Sequence, residues 1–327
     1  MKRFVIGLVI LTFVLTSLAQ AQPVEMDEWL VPWEGTRPRD PFVDEQGRVW
    51  FCGQSGNYIA YFEPETGEFT RFELPPNTNP HNLIVDDEGF VWYAGNRDVY
   101  IGKLEPETGA ITRFDMPDES ARDPHTLVFG TEGEIWFTVQ QGNFVGRLDM
   151  TSGDITLIPV PTQGARPYGI KNTPENRPWI VLFGINKLAT VDPETLALEE
   201  VTLPRAEARP RRLEITPDGN VWYGDYAGGF LGRYNPSDGT FQEWALPGGS
   251  DSRPYGTALD HQGRIWIAET GTMPNQLVGF DPETESFFAQ EEVESGGSVR
   301  HMYLHPESQE IWFGTDTNYL VRARVTE

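Results

Sequence analysis

The sequence predicts an all-β fold, a seven-bladed β-propeller made of four-stranded antiparallel blades. Three observations carry this prediction: a Trp-containing segment that recurs seven times, four short strand patterns in each repeat, and a strand pattern near the N-terminus that completes the last repeat. The recurring Trp residues lie at positions 50, 92, 136, 179, 222, 266 and 312, so successive repeats are 42 to 46 residues apart. That period is typical of propeller blades.

Each repeat is predicted to contain four strands in the same order. A first strand, as at residues 83–85, leads through a turn rich in Asp, Glu and Gly into the Trp strand. A third strand, as at residues 100–104, runs into a Pro-containing corner, and a fourth strand follows at residues 112–117. Gly permits the positive φ of tight turns, and Pro presets φ at a turn's second position. Repeated short strands without helical periodicity favour a propeller over a sandwich.

The two ends of the chain complement each other. The last repeat stops after its third strand, near residues 321–325, whereas residues 28–32 (Glu-Trp-Leu-Val-Pro) resemble the fourth-strand segment at residues 243–247. We therefore expect the N-terminal strand to join the last blade and close the ring, which removes a free sheet edge. The Trp residues are interpreted as apolar wedges between blades, not as cofactor ligands.

The N-terminus predicts export. Met1, Lys2 and Arg3 precede an apolar run at residues 4–18 and an Ala-Gln-Ala site at residues 19–21, the pattern of a cleaved signal peptide. The run is shorter than the roughly 20 residues that a membrane span needs. The sequence thus predicts a signal peptide at residues 1–21 and a single propeller domain at residues 22–327. The mature protein is expected in the periplasm or outside the cell, as a monomer without a membrane span.

Charge and cysteine content narrow the possible partners. The formal net charge is −24, and cleavage after Ala21 removes two basic residues and no acidic ones, which makes it −26. Such a surface repels nucleic acid at long range, so a small molecule is the expected partner. Cys52 is the single cysteine. It follows Trp50 in a strand and is interpreted as a buried apolar group.

One position before the first strand of each repeat is occupied by side chains that can bind a ligand or transfer a proton. In antiparallel blades, the loops before the first strand and after the Trp strand share one face of the ring, at the mouth of the central channel, where ligands are expected. None of the seven residues at that position is aliphatic. They are Arg39, His81, His125, Tyr168, Arg211, Tyr255 and His301. The competing interpretation is that His81 and His125 only cap strand ends through backbone hydrogen bonds.

Arginines collect in the same loops, namely Arg37, Arg39, Arg122, Arg166, Arg205, Arg209, Arg211, Arg212, Arg253 and Arg300. On an acidic protein, such a cluster predicts a local binding site for a carboxylate, which guanidinium binds bidentately. The alternative is that the arginines pair with nearby acids such as Asp40, Glu207 and Asp251. The sequence leaves both interpretations open.

Several motifs resemble those of the virginiamycin B lyase (streptogramin lyase) family of seven-bladed propellers. They are Phe-Val-Gly-Arg-Leu at residues 144–148, Arg-Pro-Tyr-Gly-Ile at 166–170 and Phe-Leu-Gly-Arg-Tyr at 230–234. The resemblance covers residues 26–325. It implies substrate contact by His81, a metal-ligand role for Asp123, general-base work by His125, and a pocket lined by Tyr168.

The chain departs from the family pattern at two of the implied positions. Asp123 replaces a Glu, and Gln140, four residues after Trp136, replaces a second acidic ligand. Loss of a carboxylate should weaken binding of Mg²⁺, the cofactor that the resemblance implies. Tyr255, Arg39, Arg211 and His301 are expected to contact substrate beside the implied residues.

Three functions follow as hypotheses. The first is an exported carbon–oxygen lyase that cleaves an ester or another carboxyl-bearing substrate by β-elimination, as the resemblance to an antibiotic-inactivating family implies. The second is a non-catalytic periplasmic propeller that binds an anionic ligand or a protein partner through the same face. The third is a metal-dependent lactonase, for which the channel carboxylates would be Asp225, Glu269 and Asp316.

Overall fold

A computed structural model describes residues 24–325, which form 28 strands in seven four-stranded antiparallel sheets. Successive first strands contact each other around the whole ring, and the last contacts the first. The predicted seven-bladed propeller is confirmed. The predicted signal peptide at residues 1–21 lies outside the described residues.

Blades 1 to 4 run in chain order from β2 to β17. Blade 1 contains β2 (Pro38–Val43), β3 (Val49–Gly53), β4 (Tyr58–Glu63) and β5 (Glu68–Glu73). Blade 2 contains β6 (Pro80–Val85), β7 (Val91–Gly95), β8 (Tyr100–Glu105) and β9 (Ala110–Asp115). Blade 3 contains β10 (Pro124–Phe129), β11 (Glu134–Val139), β12 (Phe144–Asp149) and β13 (Ile155–Pro159). Blade 4 contains β14 (Pro167–Asn172), β15 (Pro178–Leu182), β16 (Lys187–Val191) and β17 (Leu198–Thr202).

Blades 5 to 7 complete the ring. Blade 5 contains β18 (Pro210–Ile215), β19 (Val221–Asp225), β20 (Phe230–Asn235) and β21 (Thr240–Ala245). Blade 6 contains β22 (Pro254–Leu259), β23 (Ile265–Glu269), β24 (Gln276–Asp281) and β25 (Ser286–Glu292). Blade 7 contains β26 (Met302–Leu304), β27 (Ile311–Gly314), β28 (Tyr319–Val325) and β1 (Val24–Leu30). Within residues 24–325, the one helix is the 3₁₀ turn Gly249–Asp251, and it is far too short to cross a membrane.

The ring closes through the N-terminal strand, as predicted. Strand β1 pairs antiparallel with β28 over its full length, from Val24 opposite Val325 to Leu30 opposite Tyr319. The Trp29 ring stacks on Trp312 with centroids 5.5 Å apart, and Arg322 donates to the Asp27 carboxylate at 2.7 Å. The strand begins at Val24, earlier than the predicted segment at residues 28–32, because its partner strand is seven residues long.

The repeated Trp residues are core residues that pack between neighbouring blades. Trp50 of blade 1 packs with Leu83 and Val85 of blade 2, and its side chain has no exposed surface. In four blades the indole N–H donates to the side chain six residues earlier, at Asp44 (2.7 Å), Asp86 (2.8 Å), Thr216 (3.1 Å) and Asp260 (3.0 Å). The carboxylate also accepts a turn amide, as Asp86 does from Phe90 at 2.9 Å. Each such Asp therefore ties a surface turn to the core.

Candidate active site at the channel mouth

The channel-mouth residues are presented by a β-bulge that recurs at the start of the first strand. In six blades this strand starts with Pro. Pro lacks a backbone N–H, but the first position of a strand does not need this donor for pairing. The pairing register with the Trp strand shifts just after it, as between Pro80 and Leu83. A bulge points neighbouring residues to one side and is typical of active sites. The residue before Pro has a φ of 48° to 70° in five blades, at Arg37, Asn79, Asp123, Arg166 and Arg253.

Two histidines and two tyrosines form a continuous row across blades 2, 3, 4 and 6. The ring centroids of His81 and His125 are 3.6 Å apart, and those of His125 and Tyr168 are 4.0 Å apart. The Tyr168 and Tyr255 hydroxyl groups are in hydrogen-bond contact. Each of the four side chains is at most 5% exposed. The structure therefore brings together four of the residues that the sequence places at the mouth.

Both imidazoles of the row favour the neutral form. The His81 Nδ1–H donates to the His125 backbone carbonyl at 3.2 Å, and His125 Nδ1 shares a hydrogen bond with the Thr126 hydroxyl at 2.9 Å. Burial, followed by nearby arginine charges, holds the pKa of each imidazole well below its usual range. The capping interpretation is thus correct for the His81 Nδ1 atom, but the carbonyl that it meets belongs to the next blade. The carbonyl can only accept, so His81 carries its proton on Nδ1 and has a lone pair on Nε2. His125 has an Nε2 lone pair in the tautomer whose Nδ1–H donates to Thr126.

A buried carboxylate, Asp40, organises the centre of the channel. It accepts hydrogen bonds from Arg39 Nε at 2.9 Å, Asn82 Nδ2 at 3.1 Å and Arg212 Nη2 at 3.2 Å. Arg212 also donates to the Thr126 hydroxyl at 3.1 Å, so this one side chain joins blades 5, 1 and 3. Burial raises the pKa of the Asp40 carboxyl, but the Arg39 and Arg212 charges outweigh it, and the pKa lies well below its usual range. Asp40 is therefore ionised.

Arg211 lies within a cage of aromatic rings. Its guanidinium carbon is 3.6 Å from the Tyr255 ring centroid, 4.4 Å from that of Tyr226 and 4.6 Å from that of Phe183. Arg211 Nη2 lies 3.5 Å from the Tyr168 hydroxyl, and its buried Nε has no partner. Aromatic faces stabilise a cation without neutralising it. Arg211 therefore keeps a positive charge that is available to an anion.

Two other predicted contacts also present unpaired polar atoms at the mouth. Arg39 is 3% exposed and uses Nε and Nη1 in hydrogen bonds, whereas its Nη2 has none. His301 is half-buried, and its enclosed Nδ1 has no partner. Burial, followed by the Arg212 charge, lowers the pKa of His301 to about 3. Buried polar groups normally have partners, so these atoms fit a ligand that can accept and donate hydrogen bonds.

The arginine cluster divides between the two interpretations that the sequence leaves open. Five members lie within 4 Å of a carboxylate in the described part of the chain: Arg37 and Arg300 with Asp316, Arg39 and Arg212 with Asp40, and Arg205 with Asp225 and Glu243. For the other five, Arg122, Arg166, Arg209, Arg211 and Arg253, the same part of the chain shows no carboxylate at that distance. Neither Glu207 nor Asp251 forms an expected pair. Both interpretations therefore hold in part: half of the arginines pair with acids, and the other half have a guanidinium group without a carboxylate partner within 4 Å among the described residues.

The residues implied as metal ligands do not form an acidic cluster. The Asp123 carboxylate accepts hydrogen bonds from Asn96 and Gln141, and burial raises the pKa of this carboxyl. Gln140 meets Asp123 through the backbone, its N–H donating to the Asp123 carbonyl at 2.8 Å. Residues 24–325 contain no group of three His, Cys, Asp or Glu side chains able to hold a metal ion. The Asp123 carboxylate, which already accepts hydrogen bonds, and the Gln140 side-chain amide fit Mg²⁺ poorly, because this ion prefers charged oxygen ligands.

The acids considered for a lactonase each accept a hydrogen bond or pair with an arginine, whereas Asp225 Oδ2 is buried without a hydrogen-bond partner in the described part of the chain. Asp225 accepts backbone amides from Arg209 at 2.8 Å and Gly228 at 3.1 Å. Glu269 accepts the Gly248 amide at 2.9 Å, and Asp316 pairs with Arg300. These carboxylates orient loops and arginines around the mouth.

Sequence analysis named Arg212 in the arginine cluster and Asp40 as a possible partner, but it did not recognise that the residues one place after the predicted position form a network. Asp40, Asn82, Thr126 and Arg212 each come one residue later and form the buried network beneath the histidines and tyrosines. Strict strand alternation would point them away from the channel, but the bulge turns them toward it. The available signal was that this second position is also polar in four repeats.

The fold and the site define a seven-bladed propeller with a His, Tyr and Arg centre at its channel mouth. The chain belongs to the virginiamycin B lyase family, whose model matches residues 17–275. No curated protein sequence matches the chain significantly.

Solved structures agree with the family in fold. A selenomethionine-substituted virginiamycin B lyase from Staphylococcus aureus has 22% identity and a TM-score of 0.83, with 93% of this chain and 100% of that chain covered. A catalytically inactive His-to-Ala variant of the enzyme from that species, crystallised with quinupristin, has 23% identity and a TM-score of 0.82, with 93% and 100% covered. The extracellular domain of a candidate one-component system from B. thetaiotaomicron has 18% identity and a TM-score of 0.69, with 88% and 40% covered.

Proposed function

We propose that this protein is an exported lyase that cleaves a carbon–oxygen bond by β-elimination in an ester or another carboxyl-bearing substrate at the channel mouth. The observation that carries the proposal is the neutral His125 imidazole, held in a row with His81 and Tyr168 beside arginines that lack a carboxylate partner. Membership of the family supports the reaction class. Export rests on the signal-peptide pattern at residues 1–21.

The reaction needs a base, a site for the carboxyl group and a route for the leaving oxygen. His125 Nε2 removes the proton α to the carboxyl group. Arg211 and the unbonded Nη2 of Arg39, with exposed Arg122 at the rim, hold the carboxyl group and stabilise the negative charge that develops on it. The electron pair of the C–H bond forms the new double bond, and the β carbon–oxygen bond breaks with its pair on oxygen. No water is added, so the mass of a ring-opened cyclic substrate does not change.

Mass spectrometry of a type B streptogramin incubated with mature protein tests the proposal. Quinupristin is the appropriate first compound, because the S. aureus relative was crystallised with it. We expect an opened product of unchanged mass from the wild type and none from His125→Ala. His125→Gln keeps more of the side-chain volume, so it separates loss of the base from loss of packing. A product heavier by one water would indicate hydrolysis and contradict the proposal.

The role of Mg²⁺ is tested separately from turnover. We propose that Gln140 has weakened the family's metal site, since Asp123 is the one implied ligand with a charge. Gln140→Glu restores a second carboxylate, and Mg²⁺ should then raise the Tm of the variant but not that of the wild type. An equal Mg²⁺-dependent rise in both proteins would show that the wild-type residues bind the ion as they stand.

A non-catalytic binding protein is the second candidate, favoured by the Gln140 substitution and by the close packing of the row. The same arginines would then hold an anionic ligand without chemistry. In that case, carboxylate compounds would raise the Tm of wild type and of His125→Gln alike, with no product from either.

A further inference from the structure

The Tyr168 and Tyr255 hydroxyl groups form a pair that the elimination described above does not use. Tyr168 belongs to blade 4 and Tyr255 to blade 6, and their phenol oxygens meet beneath Arg211 of blade 5. Both side chains are almost fully buried, at 4% and 2% exposed. Two phenols in hydrogen-bond contact share a proton, since one must donate and the other accept.

Cations surround this pair on several sides. Arg211 stacks on the Tyr255 ring at 3.6 Å, and the Arg300 guanidinium carbon lies 5.7 Å from that ring's centroid. Arg212 lies 5.4 Å from the Tyr168 ring, and Arg39 acts on both phenols through its charge. The nearby acids, Asp40 and Asp316, are bonded to Arg39, Arg212 and Arg300. A phenolate formed here is therefore stabilised.

We propose that Tyr255, sharing its proton with Tyr168, is the general acid of the site, and that the substrates are carboxylates whose leaving group is an alkoxide. The inference rests on the proposed elimination. An alkoxide is a poor leaving group unless it is protonated as it departs, whereas a carboxylate leaving group needs no acid. A buried, cation-stabilised phenol therefore suits a β-alkoxy carboxylate, such as a uronic acid linked through the oxygen on its β carbon.

The proton and electron balance closes over one turnover. His125 Nε2 takes the α proton, the C–H electron pair becomes the double bond, and the β carbon–oxygen bond breaks. The Tyr255 hydroxyl gives its proton to the departing oxygen, which leaves as an alcohol, and the phenolate is held by the arginines. The His125 proton then returns to the phenol pair through Tyr168, whose ring centroid is 4.0 Å from that of His125.

Charge explains how the acid and the base hold opposite protonation states at one pH. Burial raises the pKa of Tyr255, but the charges of Arg211, Arg39, Arg212 and Arg300 outweigh it and lower the pKa to about 8. Burial and repulsion from Tyr255 raise the pKa of Tyr168 to about 12. At neutral pH, Tyr255 is protonated and His125 is not. Pairs of groups whose environments separate their pKa values in this way mark acid and base assignments.

Two hexuronates test the inference, one with a methoxide and one with a nitrophenoxide leaving group on the β carbon. The readout is ultraviolet absorbance of the unsaturated acid. We expect Tyr255→Phe to lower kcat on the methoxide compound by about 100-fold or more and on the nitrophenoxide compound by no more than about threefold. The KM values should stay within a factor of about two, because the binding arginines are unchanged.

The pH profile of kcat shows whether Tyr255 acts as an acid or as a base. Wild-type kcat on the methoxide compound should fall as pH rises through about 8, where Tyr255 loses its proton, and Tyr255→Phe should lack this fall. Activity that rises through the same pH would make Tyr255 a base and overturn the acid role. Equal losses on the two compounds, or a flat wild-type profile, would also overturn it. No elimination by the wild type from any of the compounds, quinupristin included, would contradict the proposed function itself.

Tyr93→Phe is the matched control. Tyr93 donates to or accepts from Tyr100 at 3.1 Å, a second buried phenol pair that lies in the core between blades 1 and 2. It should leave both kcat values and the pH profile unchanged. If Tyr255→Phe lowers the Tm, Tyr168→Phe provides the second test, since it keeps Tyr255 as the acid but removes the shared proton. Tyr168→Phe should retain turnover, but its kcat should fall at a different alkaline pH from that of the wild type. A fall at the same pH would contradict a proton shared between Tyr168 and Tyr255.

Discussion

Asp40 is the residue on which the charges of the channel depend. Asp40 has no exposed surface, and its carboxylate neutralises part of the positive charge of Arg39 and Arg212, two buried arginines from opposite sides of the ring. A buried ion pair of this kind adds little net stability, but removal of one partner leaves an uncompensated buried charge. Asp40 thus sets how much positive charge remains for a substrate.

Asp40→Asn is expected to lower the free energy of unfolding by about 3–5 kcal/mol, because Arg39 and Arg212 would stay buried without their carboxylate. Urea denaturation at neutral pH measures this change. Asp316→Asn is the control, since Asp316 also pairs with two arginines, Arg37 and Arg300, but is partly exposed. Its loss should be about 1 kcal/mol or less. Equal effects of the two variants would show that burial of the Asp40 pair does not carry the energy.

The same residue gives the protein a defined response to acid. The folded-state pKa of Asp40 is lower than the unfolded value of about 3.9. The contribution of this carboxylate is therefore present above about pH 4 and is lost as pH falls below that value. Wild type should lose stability in this range more steeply than Asp40→Asn.

The repeat predicted which residues line the channel mouth but not how they are connected. The row from His81 to Tyr255 follows from one position in the period, because every blade presents the equivalent residue on the same face. Pairing of the arginines with Asp40 was one of the two interpretations, but the sequence did not indicate that Arg212 would be a partner, since it lies 172 residues away and the bulge breaks strand alternation. The phenol pair was missed for a similar reason, because Tyr168 and Tyr255 are not on adjacent blades.

At the scale of the element, the hairpin turn and the Trp strand form one unit. Asp86 accepts the Trp92 indole N–H with one carboxylate oxygen and the Phe90 amide with the other. The Trp92 side chain has no exposed surface, so its indole N–H is removed from water when the blades pack. This explains why Asp precedes the turn in blades 1, 2 and 6.

Asp86→Ala should lower the free energy of unfolding by about 1–3 kcal/mol, since it leaves a buried indole donor without an acceptor. Thermal unfolding followed by Trp fluorescence measures the loss. Asp87→Ala, at the exposed next position, should change the free energy by less than about 0.5 kcal/mol. Comparable losses from the two variants would mean that the turn sequence alone, and not the indole bond, matters.

Element boundaries were predictable to within a few residues wherever a turn marks them. The third strand expected at residues 100–104 is observed as Tyr100–Glu105, and the fourth expected at 112–117 as Ala110–Asp115. Strand β1 was the least predictable, because its length is set by β28 at the other end of the chain.

The whole molecule depends on closure of the ring between its two ends. The segment before blade 1 contributes strand β1 and the Trp29 stack, and the Asn318 amide also binds the Val31 carbonyl at 2.8 Å. Without these contacts, β28 would become a free edge.

A variant lacking residues 22–33 should melt roughly 10 °C or more below the mature protein, because a few kcal/mol of pairing and packing are lost in a chain of this size. Calorimetry measures the change. Leu30→Ala, which alters a side chain that is 60% exposed on the same strand, should melt within about 1 °C of wild type. An unchanged melt of the truncated protein would show that closure does not stabilise the ring.

A protein of net charge −24 repels most anions at long range, yet arginines such as Arg211, which has no carboxylate within 4 Å among the described residues, can hold one carboxylate at the channel mouth. We propose that this mouth performs elimination with His125 as the base. The most direct test is mass spectrometry of quinupristin products formed in water labelled with heavy oxygen, with wild type and His125→Gln compared. We expect an opened product of unchanged mass and without label from the wild type, and no product from the variant. Label in the product would mean hydrolysis, and equal turnover by His125→Gln would remove His125 as the base.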